Sequence, residues 1–272
     1  MRLRDGVIER LLHVDGHPAV VRVAQRRDGA VLIRAEACAA HDRERAVERM
    51  RFALAIDDDY RAMYREFRRD PLLGAAIRRR PHHRPRRRPW AWEALAWSIT
   101  KQLIDSPRAA AIQRRLVFRW GARDRGAGGA ALRDVPAPAV IAGRSPAELA
   151  AMDLSPARAL AMIRAAREVA AGRVDPADAR DDRRLLAIRE IGPWTIQCLG
   201  LYGRGDPDSL PAGDLGYIKL VGRLAGLGRR ATVEEVEEFF RPYAPFRGVA
   251  ADLILATHYK AVASGPPLRM AA

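Results

Sequence analysis

Residues 185–220 read LLAIREIGPWTIQCLGLYGRGDPDSLPAGDLGYIKL, and this stretch decides the architecture. Leu185, Leu186 and Ile188 close one helical segment, and Ile191-Gly192-Pro193 makes a tight turn. Trp194 to Tyr202 then forms a second helix with Pro193 in its first turn. Two short helices joined in this way turn backbone N–H groups and a helix N-terminus outward, a geometry that holds a phosphate without reading sequence. A Gly-Pro turn between helices also occurs in purely structural hairpins. About twenty residues beyond Trp194, Leu210-Pro211-Ala212-Gly213-Asp214-Leu215-Gly216 puts a carboxylate at a loop-to-helix junction. Taken alone, Asp214 reads as a helix cap, and capping does not exclude catalysis.

Helical periodicity extends on both sides of this stretch. Leu95, Ile99 and Leu103 recur at four-residue spacing, and Ile112 and Leu116 continue the pattern after Pro107. Ser145-Pro146 and Ser155-Pro156 open further helices, residues 156–171 make an alanine-rich helix stopped by Gly172, and a glycine-rich turn spans 125–129. Upstream, residues 78–89 read RRRPHHRPRRRP, where the prolines exclude regular helix. That tract is either a basic tether or a strip that touches a nucleic-acid backbone. Before it, Asp15-Gly16 and Asp28-Gly29 separate runs rich in β-branched residues, which predicts an antiparallel meander of at least three strands. Helices follow over 42–79. The expected fold is mostly α. An N-terminal α+β domain (residues 1–85) precedes an all-α body (residues 86–272), with the hairpin at 185–202 and the carboxylate loop at 209–216.

The 272 residues carry a net charge of +15, with a sequence pI near 11.0. Such an excess favours a polyanionic partner, nucleic acid before an anionic membrane. Lysine appears only as Lys101, Lys219 and Lys260. The remaining cations are arginines, from GC-rich codon usage or because guanidinium forks suit phosphate oxygens. The N-terminus lacks the apolar run of an export signal, so a cytoplasmic setting is expected. Cys38 and Cys198 are too few for an iron–sulfur cluster or a zinc ribbon. His82 and His83 have no ligating neighbour in sequence, so they read as solvated surface residues. Neither a metal constellation nor a cofactor motif is legible.

The hairpin IREIGPWT, the loop LPAGDLG, the segment Trp92 to Ile104 and the segment LSPARALAMIRAAREVAAGRVD at 154–175 together resemble the helix-hairpin-helix DNA glycosylases. Within that superfamily the chain looks most like the AlkA-type 3-methyladenine DNA glycosylase II, over most of 50–260. The resemblance implies a monomer that acts on damaged double-stranded DNA in base excision repair. It flips an alkylated base out of the duplex and hydrolyses its N-glycosidic bond. Asp214 would be the catalytic carboxylate, and Trp194, Cys198, Tyr202 and Leu255 would line the base pocket. Leu103, with Ile104 beside it, would fill the gap left by the flipped base, although both also fit a helix core. Gln102 would reach the opposite base. Ile191, Gly192, Pro193, Lys219 and Arg247 would contact the backbone. The carbonyls of Ile188 and Ile191 would hold a monovalent cation, with no metal held by side chains.

Trp194 stands where lyase members of the superfamily carry an imine-forming lysine, and the three lysines lie elsewhere in the sequence. The resemblance therefore implies a monofunctional enzyme. The chain departs from the pattern at three positions. Glu190 replaces the first hairpin glycine, Cys198 an aromatic one turn after Trp194, and Leu255 a late pocket aromatic. Enzymes for deaminated or oxidised bases, and a non-catalytic damage-binding protein, remain as alternatives.

Overall fold

Aspartate-glycine pairs tolerate the left-handed backbone that tight hairpins require, and the chain uses three of them in its first thirty residues. The computed structural model describes residues 1–125 and 131–264, so the expected glycine-rich turn falls almost wholly outside the described residues. Asp5-Gly6, Asp15-Gly16 and Gly29 all have positive φ. They connect β1 (Arg2–Arg4), β2 (Val7–Val14), β3 (His17–Gln25) and β4 (Val31–Glu36) into one antiparallel sheet in sequential order. The register pairs Leu11 with Val20 and Leu12 with Ala19. Because side chains alternate, Leu12, Val14, Ala19, Val21 and Val23 face Ala46 and Met50 of α1 (Ala40–Leu54). Leu11 and Val20 point the other way. The meander is thus four strands, covered on both faces.

Helices α2 (Arg61–Phe67) and α3 (Leu73–Arg79) follow. They leave the sheet and join the C-terminal helices, since Met63, Leu73 and Ala76 share a buried cluster with Tyr217, Phe240 and Ile254. The arginine tract is fastened along its length. Tyr64 Oη donates to the Pro81 carbonyl at 3.0 Å, Arg87 forks onto Asp58 at 2.8 and 2.6 Å, and the Arg88 N–H donates to the Tyr202 carbonyl at 2.7 Å. His82 is exposed, as expected. His83 corrects the expectation: its Nε2 lies 2.7 Å from Asp252 Oδ2 and its side chain is only 16% exposed. Its partner is 169 residues away along the chain, which no local reading of the tract could find.

The body begins with α4 (Ala91–Lys101), every residue of which except Lys101 is buried. It packs on α5 (Ser106–Trp120) and α8 (Pro156–Ala170), and α6 (Pro138–Ala142) and α7 (Pro146–Ala150) pack on α8. Trp92, Leu95, Ile99, Ile112, Leu116, Leu149 and Ile163 fill the core between them. Completely burying a leucine or isoleucine is worth about 1.5–3 kcal/mol, so this cluster carries much of the fold's stability. Between α5 and α6, Arg123–Arg125 (β5) and Ala131–Arg133 (β6) form a two-stranded ribbon inside a body expected to be all helical. Its short polar strands carry no periodic signal. Leu132 is its buried anchor, packed on Leu11 and Val20 of the sheet.

The hairpin is built from α9 (Asp182–Leu186) and α10 (Pro193–Leu199), and α10 continues into a π-helical turn over Gly200–Arg204. Helices α11 (Leu215–Leu224), α12 (Val233–Phe240) and α13 (Arg247–Ser264) complete the second cluster. No helix among the described residues is long and apolar enough to cross a membrane.

Candidate active site

Asp214 is the N-cap of α11, its side chain accepting the Gly216 N–H at 2.7 Å, so the capping expectation holds. The same carboxylate opens onto a cavity of 710 Å³ that Trp194, Cys198, Tyr202 and Leu255 also line. Capping and access to the cavity therefore coexist. Burial pushes the Asp214 carboxyl above its ordinary value, and Asp252 pushes it the same way. The Gly216 N–H, the Lys101 ammonium and the Trp194 indole oppose that rise. The indole Nε1 is buried beside the carboxylate but has no partner at hydrogen-bonding geometry. A methyl added at Gly213 would sit in ordinary contact with Trp194, 3.6 Å from its ring. One added at Gly216 would sit 3.0 Å from both Asp214 Oδ1 and a Leu255 methyl.

The four pocket residues differ in what they offer. Trp194 and Tyr202 present aromatic surface, and the Tyr202 hydroxyl donates to Asp252 Oδ1 at 3.3 Å. Burial raises the Cys198 thiol and the Tyr202 phenol far above their ordinary values, so both stay neutral. Leu255 supplies an apolar wall. Trp97, which the sequence reading did not single out, adds a further aromatic to the lining.

The end of α4 joins the cavity to the hairpin. Gln102 Nε2 donates to the Glu190 carbonyl at 2.6 Å and to Thr195 Oγ1 at 3.0 Å. Its amide nitrogen is thereby tied to the hairpin. Arg158 donates to the Thr100 and Gln102 carbonyls at 3.3 and 3.0 Å, holding the chain as it leaves the helix. The next residue, Leu103, does not continue the helix that its spacing predicts. It has φ of 55° and is fully exposed. A leucine in the left-handed region with no cover costs about 1–2 kcal/mol without any packing return, a pattern found where function requires it. Ile104, by contrast, packs against the core.

In the hairpin, Glu190 has φ of 74°, which explains why a glycine suits that position. Ile191 is buried, Pro193 is exposed at the first helical position, and the Gly192 carbonyl accepts the Thr195 N–H at 3.0 Å. Lys219 lies half-buried on α11. Arg247 is not free: it forks onto Asp208 at 2.9 and 2.5 Å.

No protein-family model matches the chain. It is 28% identical over 226 residues to a probable bifunctional transcriptional activator/DNA repair enzyme AlkA of Mycobacterium tuberculosis. That match covers 82% of the chain but only 44% of the relative, so the chain spans less than half of that protein. It is 26% identical over 214 residues to a DNA-3-methyladenine glycosylase of Bacillus subtilis, covering 76% of the chain and 70% of the relative. The fold superposes on the 3-methyladenine DNA-glycosylase of Archaeoglobus fulgidus with a TM-score of 0.83 at 20% identity, covering 95% of this chain and 89% of the other. The chain is thus similar in sequence to proteins named as 3-methyladenine DNA glycosylases and shares the fold of one of them.

One feature of the site departs from what the sequence suggested. Lys101 does not lie away from the site: it lines the same cavity as Asp214 and Trp194. Burial lowers its ammonium below the ordinary value, Arg88 adds to that, and the Asp214 and Asp252 carboxylates pull it back. The sequence hid this because Lys101 and Asp214 are brought together only by the packing of α4 on α10. The arginine tract was likewise underrated, since Arg80, His83, Arg84, Arg86 and Arg88 form one wall of the cavity. The carboxylate of Asp252, from α13, joins them there. Its only signal was a lone acid in the apolar run Val249 to Leu255.

Proposed function

We propose that the chain is a DNA N-glycosylase that flips a damaged, alkylated nucleotide into the 710 Å³ cavity and hydrolyses its glycosidic bond. It would act as a monomer on double-stranded DNA in the bacterial cytoplasm. The observation that carries this reading is the Asp214 carboxylate, fixed by its cap yet open to a cavity beside the hairpin.

Base release from a flipped nucleotide passes through a sugar with developing positive charge at C1′. A carboxylate in a site sheltered from water stabilises that charge far more than one in solvent. Asp214 meets the requirement because it is largely buried, and its bond to the Gly216 N–H sets the direction of its oxygens. Its upward-shifted pKa means that the ionised form is lost as pH falls through a value above the ordinary carboxylate range, so activity falls on that acid side. Lys101 opposes that rise and so favours the ionised carboxylate. Trp194 and Trp97 offer ring faces to an alkylated purine, which carries positive charge and leaves readily once the sugar is stabilised.

Flipping costs a few kcal/mol of lost stacking. Leu103, standing free at the end of α4, is placed to enter the stack and fill the gap. The hairpin binds backbone phosphate through the N–H groups of Gly192 and Trp194, and Lys219 with the arginine wall adds non-specific attraction. The Ile191 carbonyl accepts no described hydrogen bond. That of Ile188 accepts the Ile191 N–H at 2.9 Å and keeps a second lone pair. The two carbonyls fit a monovalent cation, which would add positive charge beside the phosphate. Trp194 at the hairpin position of the imine-forming lysine supports base release to water alone. Lys101 keeps its role through charge.

The test is a screen for free-base release from duplexes carrying methylated, deaminated or oxidised bases, read by mass spectrometry. Release of 3-methyladenine and 7-methylguanine above the others supports the reading. Release of none of them, with tight binding to the same duplexes, would show a damage binder instead.

A further inference from the structure

Outside the cavity, the N-terminal domain carries a buried carboxyl group without a hydrogen-bond partner. Asp42, in the first turn of α1, is 0% exposed, and neither of its carboxylate oxygens has a hydrogen-bond partner. Buried carboxylates are normally paired, hydrogen-bonded or bound to a metal, because losing water without replacement is costly. Two imidazoles converge on this one. His17 Nδ1 lies 3.2 Å from Asp42 Oδ2, and His41 Nε2 lies 3.1 Å from Asp42 Oδ1. Neither approach has hydrogen-bond geometry, and all three donor atoms fall within 4.8 Å of one another.

We infer that His17, His41 and Asp42 form a site for a divalent transition metal, zinc in the first place. Bonds of about 2.0–2.2 Å to nitrogen and oxygen in a tetrahedron put neighbouring donor atoms about 3.3–3.6 Å apart. The two N···O separations, 3.2 and 3.1 Å, lie just below that range, so small side-chain shifts suffice. Two imidazoles with one carboxylate are a borderline-soft set that suits zinc, cobalt or nickel better than magnesium or calcium, which prefer oxygen alone. Both histidines are about two-thirds exposed, so the ion can enter and water can complete the coordination.

The fold explains the arrangement. His17 follows the Asp15-Gly16 turn at the start of β3, and His41 with Asp42 opens α1, whose N-cap Ala39 supplies no side-chain cap. A metal here would clamp the β2–β3 turn to the beginning of the helix that covers the sheet. None of the three residues lines the Asp214 cavity, so the role is structural and independent of base release.

The experiment uses the full chain, stripped with a chelator and then titrated with zinc. Calorimetry should show one saturable equivalent, with a melting temperature raised by several degrees. Cobalt should give the visible absorption of a four-coordinate nitrogen/oxygen site. The double variant His17→Ala/His41→Ala replaces exposed side chains and should lose all three signals, while melting like the stripped parent. Asp42→Asn should lose them too and gives a second test if the double variant fails to fold. Cys38→Ser, which removes an exposed thiol near α1, should keep them. Absence of saturable zinc binding by the parent, or equal binding by the double variant, would overturn the assignment.

Discussion

Replacing Leu103 by alanine separates a wedge from a core residue, because the two roles predict opposite outcomes. The side chain is fully exposed in the free protein, so truncation removes no buried contact, and folding stability should change by less than about 0.5 kcal/mol. The backbone keeps its φ of 55°, and alanine meets the same left-handed cost as leucine. In the DNA complex, however, the three carbons lost would have been buried in the base stack. At about 0.8 kcal/mol per carbon this is a loss of about 2.4 kcal/mol. It amounts to roughly a 60-fold fall in kcat/KM for a lesion in a paired duplex. A lesion in single-stranded DNA leaves no gap to fill, so its excision should change less than about threefold. Single-turnover excision on the two substrates, alongside thermal melting, measures both quantities. A variant that melts several degrees lower while excising normally from duplex would refute the wedge.

Three further substitutions test how the cavity is tuned. Lys101→Met removes the cation that opposes the burial-driven rise of the Asp214 carboxyl, so the acid limb of the kcat/KM profile should move to higher pH. Lys101→Arg should restore it, and an unmoved limb would disconnect Lys101 from Asp214. Gly216→Ala places a methyl 3.0 Å from Asp214 Oδ1 and from Leu255, forcing the carboxylate to shift by a few tenths of an ångström. Excision should fall about tenfold or more with little change in melting, because alanine otherwise favours helix; undiminished excision would mean that the carboxylate's placement is not critical. Glu190→Gly removes both a left-handed side chain and a negative charge at the hairpin. Stability should change by less than about 1 kcal/mol, since relieved strain is offset by glycine's entropy. Binding to an abasic-analogue duplex should tighten about fivefold at low salt, and weaker binding would place the phosphate elsewhere.

Much of this molecule is legible in local sequence, and the parts that are not share a physical cause. The Asp-Gly turns, the Ser-Pro helix starts, the hairpin proline and the capping Asp214 each act within a few residues, so pattern reading finds them. What escapes is whatever depends on packing between distant segments. Lys101 reaches the cavity because α4 lies against α10, and His83 finds Asp252 across the whole body. The β5–β6 ribbon exists because Leu132 has a place under the sheet. Leu103 shows the reverse error: its spacing suits the α4 stripe, but Gln102 turns inward to the hairpin and the following residue is thrown out.

The central claim is that one carboxylate stabilises the sugar of an extruded nucleotide. Asp214→Asn keeps the shape and an oxygen for the Gly216 N–H but removes the charge. Single-turnover release of the alkylated base should fall at least about a thousandfold, with affinity for abasic-analogue DNA unchanged or improved. Base release within tenfold of the parent, at equal DNA affinity, would contradict the account.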